Sequence, residues 1–423
     1  MSVVRITPKI LKGEVTSPPS KSAAHRAIIC AALAKGKSII TPFVPSADIT
    51  ATINAMKSLG TSVEIDGEKI IIDGNTTFSN KDCEIDCNES GSTLRFLIPI
   101  AAAGGCNAVF TGRGKLPTRP LDTYLNLLPL HGTACAMSGG LPLKINGSLK
   151  SGTYELAGNI SSQFITGLLL ALPLLTGNSE IKLTTPLESA GYIDMTLDIM
   201  RDFGVIAIKT ANGYLIDGNQ QYKNRNFAVE SDWSQAAFWL VASALGSDIS
   251  CRGLNIISKQ GDMQIVELLK QFGIEISNDK LLLTAKHKTL NGIEIDASQI
   301  PDLVPILAVI AACSQGRTYI KNAARLRIKE SDRLNAIALG LNTLGAKVTE
   351  LEDGLIIDGV ECLHGGNVHG FNDHRIVMAL SIATSRSTEV VTIDDCESIN
   401  KSYPEFFNDY NMLGGCADVI NMG

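Results

Sequence analysis

The sequence predicts an α/β protein made of six copies of one βαβαββ unit, three in each of two domains. Two periodic marker sets and the chain length lead to this. Gly60, Gly132, Gly204, Gly273, Gly345 and Gly414 each follow an apolar helical stretch and are spaced 72, 72, 69, 72 and 69 residues apart. Ser22, Ser92, Ser162, Asp232, Asp302 and Asp373 run in phase with them, 70, 70, 70, 70 and 71 residues apart. A chain of 423 residues is too long for one ordinary core and fits two domains of about 200 residues. Self-similarity on such a period is settled before any fold is named.

The glycines mark the end of each unit. A Gly just past a helix takes the left-handed C-cap conformation. After five of them the sequence alternates around a central turn, as in TSVEIDGEKIIIDG from 61 and AKVTELEDGLIIDG from 346, which reads as a β-hairpin. After Gly414 a single short strand, GCADVI, remains. The second marker set stands at or just before the first helix of each unit. Those helices are rich in Ala, Leu and Ile: SAAHRAIICAALA, STLRFLIPIAAA, SQFITGLLLALPLL, DWSQAAFWLVASAL, DLVPILAVIAAC and DHRIVMALSIA. Related units place these helix starts at equivalent positions, so they are able to converge on one cleft. Free N–H groups and the positive dipole end suit phosphate and carboxylate groups there.

The helix starts carry the polar residues. Ser17-Pro-Pro-Ser-Lys-Ser-Ala-Ala-His-Arg26 has a stiff approach, Ser20 or Ser22 as cap, and Ser22 and Arg26 on one helical face. Lys21, Ser22 and Arg26 form a compact anion grip. In Glu89-Ser-Gly-Ser-Thr-Leu-Arg95, Gly91 admits close approach to the backbone, Ser92 sits at the helix start and Arg95 shares a face with Gly91. A capped helix with a surface arginine explains that segment equally well. Gly112-Arg-Gly-Lys-Leu-Pro-Thr-Arg-Pro120 adds Arg119, which alone is a weak signal. Asn159-Ile-Ser-Ser-Gln-Phe164 places Ser161, Ser162 and Gln163 before a very apolar helix, with Ser189 and Tyr192 at the next helix start. Gln299-Ile-Pro-Asp302 opens another; taken alone, Asp302 reads better as a capping residue than as a functional one. Arg325-Leu-Arg-Ile-Lys-Glu-Ser-Asp-Arg333 packs four cations and two acids into nine residues, with Lys329 and Arg333 one turn apart if helical. An ion-paired surface helix is its competing reading. Asn372-Asp-His-Arg375 sets His374 beside Arg375, and Asn400-Lys-Ser-Tyr-Pro404 brings Lys401 near a helix start.

Composition excludes several classes. The net charge of −6 and the 5% aromatic content disfavour nucleic-acid binding, which needs a basic surface or stacking platforms. The longest apolar run, Gly167–Leu175, is too short to cross a bilayer, and Met1–Lys12 lacks the apolar core of a signal peptide. Ten cysteines include no C-x-x-C pair. Cys83 and Cys87 are separated by three residues with no second pair to complete a zinc site, so free thiols in a reducing cytoplasm are expected.

Together these segments, in order and spacing, closely resemble the 5-enolpyruvylshikimate-3-phosphate (EPSP) synthase family across nearly the whole chain. The related UDP-N-acetylglucosamine enolpyruvyl transferases lack the SKS, SSQ, KESDR and NDHR wording. The resemblance implies a two-domain inside-out α/β barrel. The first domain would comprise residues 1–19 and 230–423, the second residues 20–229, with the active site in the cleft between them. The implied reaction moves the carboxyvinyl group of phosphoenolpyruvate (PEP) to the 5-hydroxyl of shikimate 3-phosphate by addition and elimination, in chorismate and aromatic amino-acid synthesis. No cofactor and no metal are implied. The expected partners are the two small-molecule substrates, without nucleic acid or membrane, for a cytoplasmic monomer.

Carried over motif by motif, Lys21, Gly91, Arg95, Arg119, Gln163, Arg333, Arg375 and Lys401 would hold PEP. Lys21, Ser22, Arg26, Ser161, Ser162, Gln163, Ser189, Asp302 and Lys329 would hold shikimate 3-phosphate. Asp302 would act as base on the 5-hydroxyl with Lys21 nearby, and Glu330 as acid toward the PEP methylene. Ser92, Tyr192 and His374 would support them. The family is the target of glyphosate at the PEP site, and Gly91 leaves room for that inhibitor. The chain departs from the pattern at Glu89, where many members have Asn, at Ser92, which replaces Thr, and at Arg325, where some carry Asn. The rival readings are transfer to another acceptor such as UDP-N-acetylglucosamine, an inactive binding protein of the same fold, and an RNA-processing enzyme built from similar repeats.

Overall fold

The computed structural model describes residues 2–75, 78, 81–279 and 282–421. The chain divides into two compact units, one of residues 1–18 with 231–423 and the other of residues 19–230. Among the described residues each unit contains three four-stranded sheets, six in all. Among the described residues no helix is long and apolar enough to cross a membrane.

One repeat shows how the sequence makes the unit. Strand Asp82–Asp86 leads into helix Gly91–Ala103, and strand Asn107–Thr111 returns parallel to the first. A short helix, Asp122–Leu127, then leads to the hairpin of Thr133–Ala136 and Leu143–Gly147. The second hairpin strand pairs antiparallel with Asn107–Thr111, which places it inside the sheet and leaves Thr133–Ala136 at the edge. The same order recurs in all six sheets. The six periodic glycines all lie in the left-handed region, with φ from +81° at Gly204 to +102° at Gly60. A side chain is strained there, which is why the period is written in glycine.

Three of the six repeats are not contiguous in sequence. Strand Asn226–Ala228 pairs parallel with Gly36–Thr41 and so supplies the first strand of the repeat whose helix is Lys21–Leu33. Strand Lys12–Thr16 does the same for the repeat of helix Trp233–Ala244, pairing parallel with Asp248–Arg252. Strand Ser2–Ile6 lies between Val391–Asp394 and Ala417–Asn421, completing the hairpin that GCADVI begins.

Within each unit the helices lie inside and the sheets outside. All residues of Trp233–Ala244, Val304–Ala312 and His374–Ala383 are buried, as are most of Lys21–Leu33, Gly91–Ala103 and Ser162–Ala171. These helices are apolar on every side, so no face of them is left for water. The sheets show the half-buried alternation instead, for example in Arg317–Lys321, where only Thr318 and Ile320 are buried. Exposed strand faces are why hairpins such as Ser62–Asp66 with Lys69–Gly74 carry Glu64, Asp66, Lys69 and Asp73.

Helix starts differ in detail from the sequence reading. Ser20, Ser90 and Ser161 are the capping serines, so Ser22, Ser92 and Ser162 lie inside the first turn. Asp232 and Asp373 do cap their helices. Asp302 does not: it lies in a short 3-10 turn, Pro301–Leu303, ahead of a helix that begins at Val304. The segment before Arg333 is not a surface helix either. Ala324–Ile328 is a 3-10 turn, Lys329 is extended, and the helix begins at Arg333 with Asp332 as its cap.

Candidate active site

The sequence-predicted residues fall into two groups, one in each unit. In the unit of residues 19–230, three helix starts bring Gly91, Ser92, Arg95, Arg119 and Gln163 together. Gln163 accepts from the Arg95 guanidinium at 2.8 Å and donates to the Ser92 hydroxyl at 3.0 Å. Ser161 caps that helix by accepting from the Gln163 N–H at 3.3 Å. Arg95 also donates to the Pro120 carbonyl at 3.2 Å, next to Arg119, and lies over the Phe164 ring. A Cβ on Gly91 would stand 2.7 Å from Nη1 of Arg119 and 3.0 Å from Nη1 of Arg95. Two guanidiniums therefore meet at one point of bare backbone, and the missing side chain is what lets them approach.

Lys21 and Arg26 are placed by other partners. The Lys21 ammonium pairs with Asp48 at 2.8 Å, and both side chains are largely buried. Arg26 is 3% exposed and donates to Thr196 Oγ1 at 2.7 Å, to the Ser22 carbonyl at 2.7 Å and to the Tyr192 carbonyl at 3.1 Å. It braces the starts of helices Lys21–Leu33 and Ala190–Asp202, and burial lowers its guanidinium to about 10. Between them His25 is fully buried, and burial, then Lys21 and Arg26, hold its imidazole well below the usual range. Ser189 is buried just before the Ala190–Asp202 helix in a left-handed conformation, φ +55°, and makes no cap bond. Ser162 is buried at the first position of its helix.

In the other unit, Asp302, Lys329, Glu330, Arg333 and Arg375 form one network. Asp302 Oδ1 accepts from Arg333 at 2.9 Å and from Lys329 at 3.4 Å, while Oδ2 accepts from Arg375 at 3.1 Å. Arg375 also donates to the Asp302 carbonyl at 3.0 Å. Arg333, 1% exposed, reaches Glu330 at 2.6 Å and Asp373 at 2.8 Å. Burial opposes its charge, but Asp373, Glu330 and Asp302 together outweigh that and hold it above the ordinary arginine value. Lys329 goes the other way, since burial lowers its ammonium against the pull of Asp302. Lys401 donates to the Asn372 carbonyl at 2.6 Å, beside Asp373, His374 and Arg375. His374 is buried in the first turn of its helix.

Two anchors escaped the sequence reading as site residues. Asp373 was legible only as a helix marker, yet it accepts from Ser331, Arg333 and the Arg375 N–H. Asp48 carries no sequence signal, because only the packing of two helices brings it to Lys21. Of the departures from the family pattern, Arg325 is tied to the Ser298 carbonyl at 2.6 Å, and Glu89 lies against Gly114. Among the described residues no group of three or more His, Cys, Asp or Glu is arranged to hold a metal ion.

Such groups suit one kind of chemistry. Guanidiniums and ammoniums at helix starts bind phosphate and carboxylate. Two carboxylates held by the same buried arginine offer proton transfer beside those anions.

Comparison with known proteins identifies the family. The family described as EPSP synthase (3-phosphoshikimate 1-carboxyvinyltransferase) matches residues 6–410. A 3-phosphoshikimate 1-carboxyvinyltransferase of Clostridium acetobutylicum is 51% identical over 429 aligned residues, covering 100% of both chains. That of Clostridium perfringens is 51% identical, covering 98% of this chain and 99% of its own. Among solved structures, EPSP synthase from Acinetobacter baumannii superposes with a TM-score of 0.83 at 29% identity over 100% of both chains. The enolpyruvyl transferase NikO from Streptomyces tendae shares the fold at 17% identity, with a TM-score of 0.82 over 100% of this chain and 99% of its own. With its repeats, its two charged groups and these relatives, the chain belongs to the EPSP synthase (3-phosphoshikimate 1-carboxyvinyltransferase) family.

Proposed function

We propose that the protein transfers the enolpyruvyl group of PEP to the 5-hydroxyl of shikimate 3-phosphate, releasing phosphate, as a step toward chorismate and the aromatic amino acids. The observation that carries this reading is full-length membership of the family together with an intact set of cations and carboxylates at its motif positions. In this reading the two groups act on one bound pair of substrates. Lys21, Gly91, Arg95, Arg119, Gln163, Arg333, Arg375 and Lys401 serve PEP. Lys21, Ser22, Arg26, Ser161, Ser162, Gln163, Ser189, Asp302 and Lys329 serve shikimate 3-phosphate.

Asp302 takes the proton of the 5-hydroxyl, whose oxygen forms a bond to C2 of PEP. Glu330 gives a proton to C3, and the double bond becomes a tetrahedral centre. Loss of a C3 proton and cleavage of the C2–O bond to phosphate then restore the double bond. The intermediate carries two phosphates and a carboxylate, so fixed cations stabilise it more than water would. Arg333 holds both carboxylates, which fixes the base and the acid relative to each other. The free thiols of all ten cysteines suit the cytoplasm, and the protein is proposed to act there as a monomer.

The test is phosphate release from PEP in metal-chelating buffer, with each substrate omitted in turn and with UDP-N-acetylglucosamine as substitute acceptor. Release only with PEP and shikimate 3-phosphate together is expected, with glyphosate competing against PEP. Release with the nucleotide sugar instead would replace the acceptor, and release with neither would leave a binding protein of this fold.

A further inference from the structure

The segment 325–333 carries a cation that this mechanism does not use. Arg327 stands in the 3-10 turn Ala324–Ile328, next to the fully buried Leu326. Its Nη1 donates to Asp332 Oδ2 at 2.8 Å and to Glu350 Oε1 at 2.7 Å. Its Nε donates to the Glu352 carbonyl at 2.8 Å, and its Nη2 to the Leu351 carbonyl at 2.6 Å. These bonds belong to a closed ring. Asp332 Oδ1 accepts from the Asn335 N–H at 3.2 Å as the helix cap, and the Asn335 side chain donates to Glu350 Oε2 at 3.0 Å. Arg327, Asp332, Asn335 and Glu350 therefore hold one another, on the hairpin formed by Lys347–Leu351 and Gly354–Asp358. A lone half-exposed ion pair would contribute little. A planar guanidinium with acceptors on several sides is held in one geometry.

Between Arg327 and Asp332 the chain carries Lys329 and Glu330. It is not regular there: Lys329 is extended, and the helix begins only at Arg333. Side chains must fix what no helix or strand fixes. On one side Ser331 donates to Asp373 at 3.0 Å, and Glu330 accepts from Arg333 at 2.6 Å. On the other, the Arg327–Asp332 pair joins the two ends of the loop, five residues apart. Closing a short loop across its base removes much of the freedom of the residues between. The place of the Glu330 carboxyl relative to Asp302, which shares Arg333 with it, then depends on the ring.

We propose that Arg327 is a positioning residue that closes the base of the 328–331 loop and so sets where Glu330 delivers its proton. It acts through Glu330 and not on substrate. Lysine is no substitute, because a single ammonium nitrogen cannot reach two carboxylates and two carbonyls at once. The inference rests on the assignment of Glu330 as the acid.

The experiment is a double-mutant cycle read in kcat. Arg327→Lys keeps the charge and is expected to lower kcat about tenfold, with KM for PEP changed less than about twofold, since the cations assigned to PEP are untouched. In a Glu330→Gln background, where the acid is already lost, the same change is expected to cost less than about twofold. Equal fold-losses in the two backgrounds would overturn the proposal and leave Arg327 a role in stability alone. Asp332→Asn keeps a capping oxygen but breaks the ion pair. It is expected to lower kcat several-fold with the same dependence on Glu330, and it decides the matter if circular dichroism shows Arg327→Lys to be unfolded. A second readout needs no turnover: trypsin cleavage after Lys329, followed by mass spectrometry. Cleavage is expected to be about tenfold faster in Asp332→Asn than in the unaltered protein, as the loop opens. An unchanged rate would refute the closure whatever happens to kcat. Absence of any reaction of the unaltered protein with the two substrates would instead sink the functional reading, and with it the acid that the ring is proposed to serve.

Discussion

Arg333 and Gly91 organise the two charged groups in opposite ways. Arg333 is a long side chain that gathers three carboxylates around it, and removing one partner from such a buried set leaves an uncompensated charge, at about 3–5 kcal/mol. Gly91 contributes by having no side chain, so that Arg95 and Arg119 meet over its backbone. In Gly91→Ala the new methyl displaces both guanidiniums from that point. The expected result is a KM for PEP raised about tenfold, worth about 1.4 kcal/mol of binding, with a smaller change in KM for shikimate 3-phosphate. Equal effects on both substrates in steady-state kinetics would refute the placement of PEP at Gly91. The cations of both groups were readable in the sequence because they cluster at helix starts on a fixed period. Their carboxylate partners were not: Asp373 is 40 residues from Arg333 and Asp48 is 27 from Lys21, and no local pattern encodes a meeting made by packing. Asp302 was misread when taken alone for the same reason, since an acid before an apolar helix looks like a cap until its three cationic partners are in view.

Helices that are apolar all round need their polar starts fixed by something other than amphipathic packing. The start of Gly91–Ala103 shows how this is done. Ser90 accepts from the Thr93 N–H at 3.2 Å and from its hydroxyl at 2.8 Å; Thr93 meets Thr52 at 2.6 Å, and Thr52 meets His25 at 2.7 Å. All four residues are fully buried, so this chain of hydroxyls links three helices beneath Gly91. Ser90→Ala removes a cap worth about 1 kcal/mol and strands a buried hydroxyl at about 1–3 kcal/mol. A loss of about 2 kcal/mol in urea unfolding is expected; a loss below 0.5 kcal/mol would show that the chain of hydroxyls is not coupled to stability. The six long helices and their hairpins were legible from apolar content and glycine spacing. The 3-10 turns at Pro301–Leu303 and Ala324–Ile328 were not. There the side chains are drawn into ion pairs with distant residues, and tertiary contacts override local helical preference.

On the scale of the whole chain, the period revealed six repeats but not how three of them are completed. Strand exchange has no signature in a repeat count, because each strand looks alike wherever its partners lie. It does make an unequal demand on the two units. All three sheets of the 19–230 unit are drawn from its own segment, whereas the other unit takes Ser2–Ile6 and Lys12–Thr16 from beyond the 19–230 segment. A fragment of residues 19–230 is therefore expected to unfold cooperatively on its own. A fragment of residues 231–423 is expected to lack a cooperative transition until a peptide of residues 1–18 is added. Circular dichroism during urea titration checks both, and a cooperative 231–423 fragment would show those two strands to be dispensable. During synthesis the same arrangement imposes a queue. Ser2–Ile6 leaves the ribosome about 390 residues ahead of its neighbours Val391–Asp394 and Ala417–Asn421, a wait of roughly 20–80 s at ordinary elongation rates. Through that interval an inner strand of the finished sheet has no partner, and the segment least able to protect itself is among the earliest to meet the chaperones.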